Sequence, residues 1–299
     1  MDIQWYPGHM TKARRQMQED IRLIDLIIEL VDARVPLSSR NPDIDSMGRQ
    51  KSRLILLNKA DLADDSWNRR WAEYFKKKGY YVLLADSRNK GHLKAVQPLI
   101  GEACREKIER DRKRGILNRP VRAMVAGIPN VGKSTFINSY AGRACAKTGN
   151  RPGVTRGKQW IRLNKTLELL DTPGILWPKF EDPEVGKNLA LIGSVRDEIL
   201  NTEELALELI RRLNQGYPQV LAERYGIEKA ETELKTLEEI ARSRNCLTRG
   251  GELSFEKAAG ILLEDFRGGK LGRITLEYPP EEAGEKKHEK NTERNPEGV

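Results

Sequence analysis

The sequence predicts an α/β protein in which a doubly wound, mainly parallel sheet is followed by a small all-α domain. Apolar runs of strand length alternate with helical patterns as far as Trp177-Pro178, and only helical patterns follow. Strands that alternate with helices form parallel sheets covered by helices on both faces. We expect a first domain over residues 1–180, a helical domain over 181–278 and a polar, disordered tail over 279–299.

The strands and helices of the first domain are predicted from apolar runs and from helical periodicity. The expected strands cover residues 25–31, 53–57, 80–85, 121–126 and 167–170. The expected helices cover 10–23, 66–78, 93–110 and 133–140, and loops are expected over 37–45 and 148–158. In such sheets the ligand binds at the carboxyl ends of the strands. That edge is therefore where the motifs should meet.

The second domain is predicted from apolar stripes at helical spacing. Asn201 can cap a helix that has Glu204 at its third position, and Leu205, Leu209 and Leu213 follow on one face. Further helices are expected over 218–225, 232–243 and 254–267. These patterns predict a small bundle.

Composition limits the classes of protein to consider. No apolar run approaches the roughly 20 residues that a membrane span needs, and no basic-then-apolar leader is visible at the N-terminus. The three cysteines form no CxxC pair, which fits a reducing compartment, so we expect a cytoplasmic protein without a membrane partner. The net charge of +9 favours a polyanion such as RNA as partner, although a basic surface can also be merely soluble.

The segment Gly127-Ile128-Pro129-Asn130-Val131-Gly132-Lys133-Ser134 is a Walker A loop, placed between a predicted strand and a predicted helix. Its backbone N–H groups would cradle phosphates at the helix N-terminus. Lys133 would reach the β- and γ-phosphates, and the Ser134 hydroxyl would bind Mg²⁺. The expected nucleotide contacts from this segment are Asn130, Val131, Gly132, Lys133, Ser134 and Thr135.

The base is predicted from Asn58-Lys59-Ala60-Asp61, which lies upstream of the Walker A loop. A carboxylate such as Asp61 accepts hydrogen bonds from guanine N1–H and from its exocyclic amine, and adenine offers no such pair. A site whose buried acceptor stays unpaired rejects the wrong ligand by roughly 10⁴-fold or more. Asn58, Lys59 and Asp61 therefore predict that GTP and GDP are the ligands.

Two further segments complete a GTPase set. In Asp171-Thr172-Pro173-Gly174, Asp171 would hold Mg²⁺ through a water, and the Gly174 N–H would contact the γ-phosphate. Alone this tetrapeptide is a common turn, but it follows the Walker A loop and the guanine motif in one chain. Between them, Thr155 is the expected second hydroxyl ligand of Mg²⁺, although an ordinary loop threonine is the alternative.

The loop that backs the guanine ring departs from the usual pattern. Related GTPases have Ser-Ala-Lys there, and this chain has Ala85-Asp86-Ser87-Arg88. Ser87 is the candidate for the contact to guanine.

The five elements run in an unusual order along the chain. Walker A normally comes first, whereas here it follows the guanine motif and the Ser87 loop. We therefore expect a circularly permuted P-loop GTPase domain, which is feasible where the original chain ends lie close together. In this arrangement the segment ending at Gly174 leads directly into the helical domain, so order at the switch can be passed on to that domain.

With these motifs, Pro7-Gly8-His9-Met10 at the start and Asp32-Ala33-Arg34, the chain resembles the ribosome biogenesis GTPase A family over residues 1 to about 275. The resemblance implies a factor for late assembly of the large (50S) ribosomal subunit. It also implies binding of rRNA partly through the helical domain, hydrolysis stimulated by the ribosomal particle, and contacts with ribosomal proteins.

The catalytic residue is the least determined part of the pattern. Small GTPases often orient water with a Gln after this switch motif, and Ile175 at that position has no hydrogen-bonding group. The resemblance implies that His9 substitutes for the Gln, once its loop is ordered on the ribosome, beside Lys133 and Thr155 as catalytic groups. By residue type alone, a His beside Pro-Gly is more often a turn residue.

Asn130 has a second possible role. In similar GTPases an Asn at this Walker A position coordinates K⁺ near the phosphates, where the cation neutralises developing charge. The alternative is that Asn130 only shapes the turn.

Two other functions are compatible with the motifs. The chain could be a GTP-loaded placeholder on pre-ribosomal RNA in which hydrolysis only times release. It could also act on the small subunit, but such permuted GTPases tend to carry a zinc-binding segment or an added oligonucleotide-binding barrel, and the sequence predicts neither.

Overall fold

The structure is a computed structural model that describes residues 8–117, 119–146, 159–177, 180–197, 200–228 and 230–280. The predicted tail lies outside the described residues from 281 onward. Within the described ranges, no helix combines the length and the apolar character that crossing a membrane requires.

The sheet contains six strands: β1 (Leu26–Asp32), β2 (Ser52–Asn58), β3 (Tyr81–Leu84), β4 (Val121–Ala126), β5 (Gln159–Arg162) and β6 (Leu167–Asp171). Their order across the sheet is β3-β2-β1-β4-β6-β5. Every neighbouring pair is parallel except β5 and β6, which run antiparallel. The predicted doubly wound, mainly parallel sheet is confirmed. β5 was not predicted, because four residues with one buried side chain carry almost no apolar pattern.

The helices of the first part are α1 (Gly8–Asp20), α2 (Pro42–Met47), α3 (Asp65–Lys77), α4 (Val96–Ala103), α5 (Arg105–Lys113) and α6 (Lys133–Ala141). Those of the second part are α7 (Pro183–Leu191), α8 (Thr202–Gly216), α9 (Val220–Tyr225), α10 (Glu233–Ser243) and α11 (Phe255–Arg267). Short 3₁₀ turns cover Ile21–Leu23, Ala60–Leu62 and His92–Ala95.

Two local predictions for the first part were wrong. The expected loop over 37–45 contains the start of α2, because the Asn41 side chain accepts a hydrogen bond from Asp43 N and Pro42 suits a first helical position. The expected single helix over 93–110 is split into a 3₁₀ turn, α4 and α5. At the break, Ser52 Oγ donates to the Ala103 carbonyl over 2.6 Å.

The centre of the sheet is fully buried. All seven residues of β1 are inaccessible to solvent, as expected for a central parallel strand covered on both faces. Two of the seven are carboxylates, Glu29 and Asp32. Glu29 is neutralised by Arg53 and Arg40, whose nitrogens lie 2.5 and 3.1 Å from its Oε2. Paired charges are the form in which a buried carboxylate is tolerated.

The second part is a helical bundle, as predicted. Asn201 caps α8 by accepting from Glu204 N, and its amide donates to the Glu204 carboxylate over 3.0 Å. Leu205, Leu209 and Leu213 are completely buried, and the face they form packs against α10 and α11. The reciprocal cap and the apolar stripe are sequence-local features, which is why the prediction succeeded.

The chain then returns to the sheet. Residues 271–280, called here the C-terminal strap, run back from α11 along the first part. Ile274 N donates to the Leu62 carbonyl and Leu276 N to the Arg34 carbonyl, both over 2.9 Å. Trp71 Nε1 donates to the Glu277 carbonyl over 3.0 Å. The predicted helical segment 181–278 thus has its last residues against the sheet, and the exact domain boundaries stay a prediction.

Candidate nucleotide site at the carboxyl edge of the sheet

The segments singled out in the sequence all follow the carboxyl ends of parallel strands. Asp32-Ala33-Arg34 spans the end of β1, the guanine motif begins at the last residue of β2, and the Ser87 loop follows β3. The Walker A loop follows β4, and the switch tetrapeptide begins at the last residue of β6. Parallel strands bring these ends to one edge, which is the ligand-binding edge of such folds.

The Walker A loop has the expected strand–loop–helix context, with α6 beginning at Lys133. Gly132 has a φ of +101°, a conformation that favours glycine. A Cβ on Gly132 would also collide with the Asn58 amide. Only glycine therefore allows the loop and the guanine motif to approach this closely.

Asn58 joins three motifs. Its Nδ2 donates to the Val131 carbonyl over 2.7 Å. Its Oδ1 accepts from Ser87 N over 3.0 Å and from Ser87 Oγ over 2.7 Å. Asn58 and Ser87 are 2% and 3% exposed, so these contacts are shielded from water. The guanine motif, the loop after β3 and the Walker A loop converge despite their reversed order in the chain.

The Asp61 carboxylate is held by an arginine that was not among the predicted site residues. Arg88 lies 2.5 Å from Asp61 Oδ2 and also contacts Asp86 over 3.0 Å. Asp61 Oδ1 is buried and accepts no hydrogen bond from any described residue. A buried carboxylate oxygen without a donor is the acceptor that a guanine N–H would satisfy.

Lys59 connects the guanine motif to the end of β1. It adopts the left-handed conformation, with φ 57°, and its Nζ lies 3.0 Å from Asp32 Oδ2. Arg34 binds both oxygens of Asp32 through its Nε and one terminal nitrogen, over 2.9 and 2.8 Å. Burial would raise the pKa of Asp32, but the charges of Arg34 and Lys59 outweigh it and hold that pKa below its usual range. Asp32 is therefore ionised and fixes both cations.

Arg34 extends this network into the helical part. Its guanidinium lies over the Phe266 ring, 5.1 Å from the centroid, and donates to the carbonyls of Phe266 and Arg267 at the end of α11. A cation at a helix C-terminus satisfies carbonyls that have no partner within the helix. The sequence showed Arg34 only as part of a resembled motif, with no indication of this contact.

Lys133 and Asp171 form the charged centre of the site. Lys133 is 7% exposed and its Nζ donates to the Ile128 carbonyl over 2.8 Å. Burial lowers the pKa of Lys133 to about 8 and raises the pKa of Asp171 to about 6, although each charge partly offsets the shift of the other. Asp171 Oδ1 is buried and has no hydrogen-bond donor among the described residues. The ionised forms of both side chains are thus poorly solvated without a ligand.

The switch tetrapeptide packs directly on the Walker A loop. Thr172 Oγ1 donates to the Val125 carbonyl over 2.8 Å and anchors the turn to β4. A Cβ on Gly174 would lie 2.8 Å from Lys133 Nζ and 2.8 Å from Pro129 N, so only glycine fits this position. Gly174 therefore lies in close contact with Lys133 and the Walker A backbone.

Two residues after α7 hold the Walker A loop from the helical side. Asn130 Nδ2 donates to the Gly193 carbonyl over 2.7 Å, and Ser194 Oγ donates to the Pro129 carbonyl over 2.8 Å. Ser194 is completely buried. Sequence reasoning missed Gly193 and Ser194, since a Gly-Ser pair between helices indicates no more than a turn.

The remaining predicted residues lie in α6, in α1, next to Gly174 or outside the described residues. Ser134 and Thr135 are half-buried in the first turn of α6. Thr155 lies outside the described residues, and of His9 only the backbone, in the first turn of α1, is described. Ile175 is buried, and its carbonyl accepts from Asn41 Nδ2 over 3.2 Å.

Comparison with known proteins places this geometry in a family. A family profile described as "50S ribosome-binding GTPase" matches residues 122–245. The chain is 48% identical over 286 residues to a Bacillus cereus protein named "Ribosome biogenesis GTPase A", with 95% of this chain and 96% of the relative covered. A Bacillus licheniformis protein of the same name is 46% identical, with 93% and 99% covered.

Two solved structures are similar to this chain over most of its length. The crystal structure of GNP-bound YlqF from Thermotoga maritima superimposes with a TM-score of 0.64 and 28% identity, covering 90% of this chain and 99% of that one. A GDP-bound YlqF structure gives a TM-score of 0.65, also at 28% identity, with 89% and 99% covered. Both neighbours carry guanine nucleotides, according to their descriptions.

Proposed function

The chain belongs to the ribosome biogenesis GTPase A family, and on that premise we propose that it assists assembly of the large ribosomal subunit by binding rRNA in a nucleotide-dependent way. It is a GTPase that binds GTP and GDP. The description of the matching profile and the net charge of +9 support the large subunit and RNA as partners. We also propose that the protein contacts ribosomal proteins and that it is located in the cytoplasm.

The observation that carries the nucleotide chemistry is the convergence at Asn58. One amide joins the base-selecting motif to the phosphate-binding loop, so a nucleotide seated on the loop presents its base to Asp61. We assign guanine N1–H and the exocyclic amine to the Asp61 carboxylate. Ser87 acts by fixing Asn58, and Lys59 lies beside the base, oriented by Asp32.

The phosphates are assigned to the Walker A loop. The backbone N–H groups of Val131, Gly132, Lys133, Ser134 and Thr135 would cradle them at the start of α6. Lys133 would exchange its bond to the Ile128 carbonyl for phosphate oxygens, which solvate its buried charge better. The Gly174 N–H would meet the γ-phosphate. Binding of GTP thus relieves the unfavourable burial of Lys133.

The residues present fit a Mg²⁺ ion. The unpartnered buried oxygen of Asp171 is a suitable acceptor for a metal-bound water, and the Ser134 hydroxyl lies in the first turn of α6. Thr155 would complete the set. A bound Mg²⁺ supplies neutralisation of charge on the β- and γ-phosphates.

Orientation of the attacking water is assigned to His9. Ile175 cannot hydrogen-bond water and is buried, so the group must come from elsewhere. We keep the K⁺ role of Asn130 as a proposal as well. Hard cations bind oxygen, so Asn130 would offer K⁺ its Oδ1, while its Nδ2 donates to the Gly193 carbonyl.

The helical part is proposed to respond to the nucleotide. We take residues 1–180 as the GTPase domain and 181–278 as the RNA- or ribosome-binding domain. The contacts of Gly193 and Ser194 with the Walker A loop, and of Arg34 with the end of α11, support such coupling. If hydrolysis instead only timed release, the protein would be a GTP-loaded placeholder on RNA.

Sedimentation with purified subunits tests the proposal. We expect the protein to pellet with large subunits in the presence of GTP or a non-hydrolysable analogue, to release with GDP, and to ignore small subunits. Turnover should rise when large subunits are added. Equal pelleting with small subunits, or no dependence on nucleotide, would refute the proposal. Unchanged turnover on large subunits would favour the placeholder.

A further inference from the structure

The outer strand of the sheet carries an exposed tryptophan. β5 ends the strand order, so one of its edges pairs with no strand among the described residues. Ile161 faces the core at 5% exposure, whereas its neighbour Trp160 remains 39% exposed. Alternation along the strand places Arg162 on the same face as Trp160. A large aromatic ring is usually removed from water in a folded protein, so an exposed one at a strand edge is a candidate contact surface.

Three arginines accompany Trp160: one lies over its ring, one is on the same strand and one lines the same groove. The Arg122 guanidinium on β4 lies 5.4 Å from the Trp160 ring centroid. Arg162 and Arg122 flank Glu168 in one row across three strands, and only Arg122 is paired to that carboxylate, over 3.2 Å. Arg143, after α6, is exposed. Among the described residues, neither Arg143 nor Arg162 has an acidic partner.

A groove joins these groups. It has a volume of about 350 Å³ and is lined by Arg143, Ala144, Cys145, Gln159, Trp160, Ile161 and Arg162. The lining thus includes one aromatic ring and two arginines. Residues 122, 143, 160 and 162 are called here the Trp160 patch. It carries three positive charges against the single carboxylate of Glu168, which indicates an anionic partner.

We propose that the Trp160 patch binds single-stranded RNA, with one unpaired base stacked on Trp160 and the flanking phosphates against Arg143 and Arg162. The inference rests on the proposed function and specifies a surface for it on the GTPase sheet, outside the helical part. Stacking of a base on an aromatic ring together with arginine contacts to the backbone is how single strands are bound without sequence preference. A duplex offers no free base face for the indole.

The position of the patch gives this contact a consequence. β5 starts directly after residues 147–158, which include Thr155, and it pairs with β6, which ends at Asp171. Gln159 lies opposite Asp171 in that register. RNA bound at Trp160 would therefore contact the strand that lies, along the chain, between Thr155 and Asp171, two of the three residues proposed to hold Mg²⁺.

The first test is binding of a fluorescein-labelled 12-nucleotide single-stranded RNA at low salt, measured by anisotropy. Trp160→Ala should weaken binding roughly 5- to 100-fold, the range for losing one stacked base, while Trp160→Phe keeps most of it. Arg162→Glu should weaken binding as well. The matched controls are Leu23→Ala, an exposed apolar side chain in the 3₁₀ turn after α1, and Arg69→Glu, an exposed arginine on α3. GDP affinity should be unchanged in every variant.

Intrinsic fluorescence supplies a readout specific to stacking. RNA should quench part of the tryptophan emission of the natural protein, and this component should be missing in Trp160→Phe. The inference is overturned if the natural protein binds no single-stranded RNA. It is equally overturned if Trp160→Ala binds like the natural protein while Arg162→Glu does not, because the contact is then purely electrostatic. RNA binding unaffected by any variant, with loss of pelleting on large subunits, would assign the patch to a protein partner and leave the proposed function intact.

Discussion

At the scale of single residues, one amide decides whether the nucleotide site exists. Asn58 contacts Val131 and Ser87 with both of its polar atoms, and all three groups are shielded from water. An interaction of this kind is strong because each lost bond leaves a buried partner unsatisfied, at about 1–3 kcal/mol each. The Asp61 carboxylate, to which we assign base selection, can be altered without disturbing that amide.

Asp61→Asn should change the preferred base. An amide donates where the carboxylate accepted, so the guanine exocyclic amine meets a donor, whereas the 2-oxo group of xanthine meets a partner. We expect GTP affinity to fall at least about 100-fold and XTP to become the better ligand. Competition between the two nucleotides measures this. Asp64→Asn is the matched control, since Asp64 caps α3 outside the site and Asn caps equally well. Unchanged GTP preference would remove Asp61 from base selection.

Asp171→Asn should affect stability and activity in opposite directions. Burial raises the pKa of Asp171 from near 3.8 to about 6, so the fold favours the protonated acid. That contribution is full below pH 3.8 and is lost as the pH rises through about 6. At pH 8 the neutral amide should therefore make the nucleotide-free protein more stable, by at most about 3 kcal/mol, and the gain should vanish towards pH 4.

The same variant should hydrolyse GTP more slowly and should need more Mg²⁺ to reach its maximal rate. Urea unfolding at several pH values and turnover across a Mg²⁺ titration measure the two effects. Glu168→Gln, on the same strand, controls for removal of a negative charge. A destabilised nucleotide-free variant with a normal Mg²⁺ response would show that Asp171 has only a structural role.

At the scale of elements, the sequence predicts what neighbouring residues determine. The Walker A loop, the guanine motif and the Asn201 cap are contiguous patterns, and each was found where predicted. Gly193 and Ser194 contact Pro129 and Asn130 across more than sixty positions, and nothing in either segment indicates the other. β5 escaped prediction for a related reason, because a short edge strand is stabilised by its partner strand and hardly by its own residues.

Asn201→Ala should destabilise the helical part without affecting nucleotide binding. The side chain caps α8 reciprocally with Glu204, and removal of such a cap costs about 0.5–2 kcal/mol. We expect a lower urea midpoint and an unchanged Kd for GDP, measured on the same preparation. Asn201→Ser keeps a side-chain oxygen that can accept from Glu204 N and is the control. A loss of GDP affinity with Asn201→Ala would mean that α8 and the nucleotide site unfold together.

At the scale of the whole molecule, several contacts among the described residues tie the two parts together, and three of them lie close to the sequence motifs or the sheet. Ser194 meets the Walker A loop, Arg34 caps α11, and the C-terminal strap returns to the sheet. Each tie joins residues that lie far apart in the chain. The permuted order makes this possible, because the switch tetrapeptide continues directly into the segment that carries α7.

Removal of the C-terminal strap should destabilise the sheet part. A chain ending at 270 loses Ile274, which is 1% exposed, together with the hydrogen bonds to Leu62, Arg34 and Trp71. Burial of one such apolar side chain contributes about 1.5–3 kcal/mol, so we expect a loss of at least about 3 kcal/mol with Leu271 included. Urea unfolding followed by tryptophan emission compares this chain with one ending at 280. Equal midpoints would show that the strap rests on the surface without stabilising it.

The return of residues 271–280 to the sheet also affects how the chain folds during its synthesis. Arg34 and Trp71 are synthesised early, yet the carbonyls and amides that complete their surroundings come from residues made about 200 positions later. At 5–20 residues per second, roughly 10–50 s of translation separates the two. Until residues 271–280 have been made, the first part of a nascent chain lacks the hydrogen-bond partners that the C-terminal strap gives to Leu62, Arg34 and Trp71.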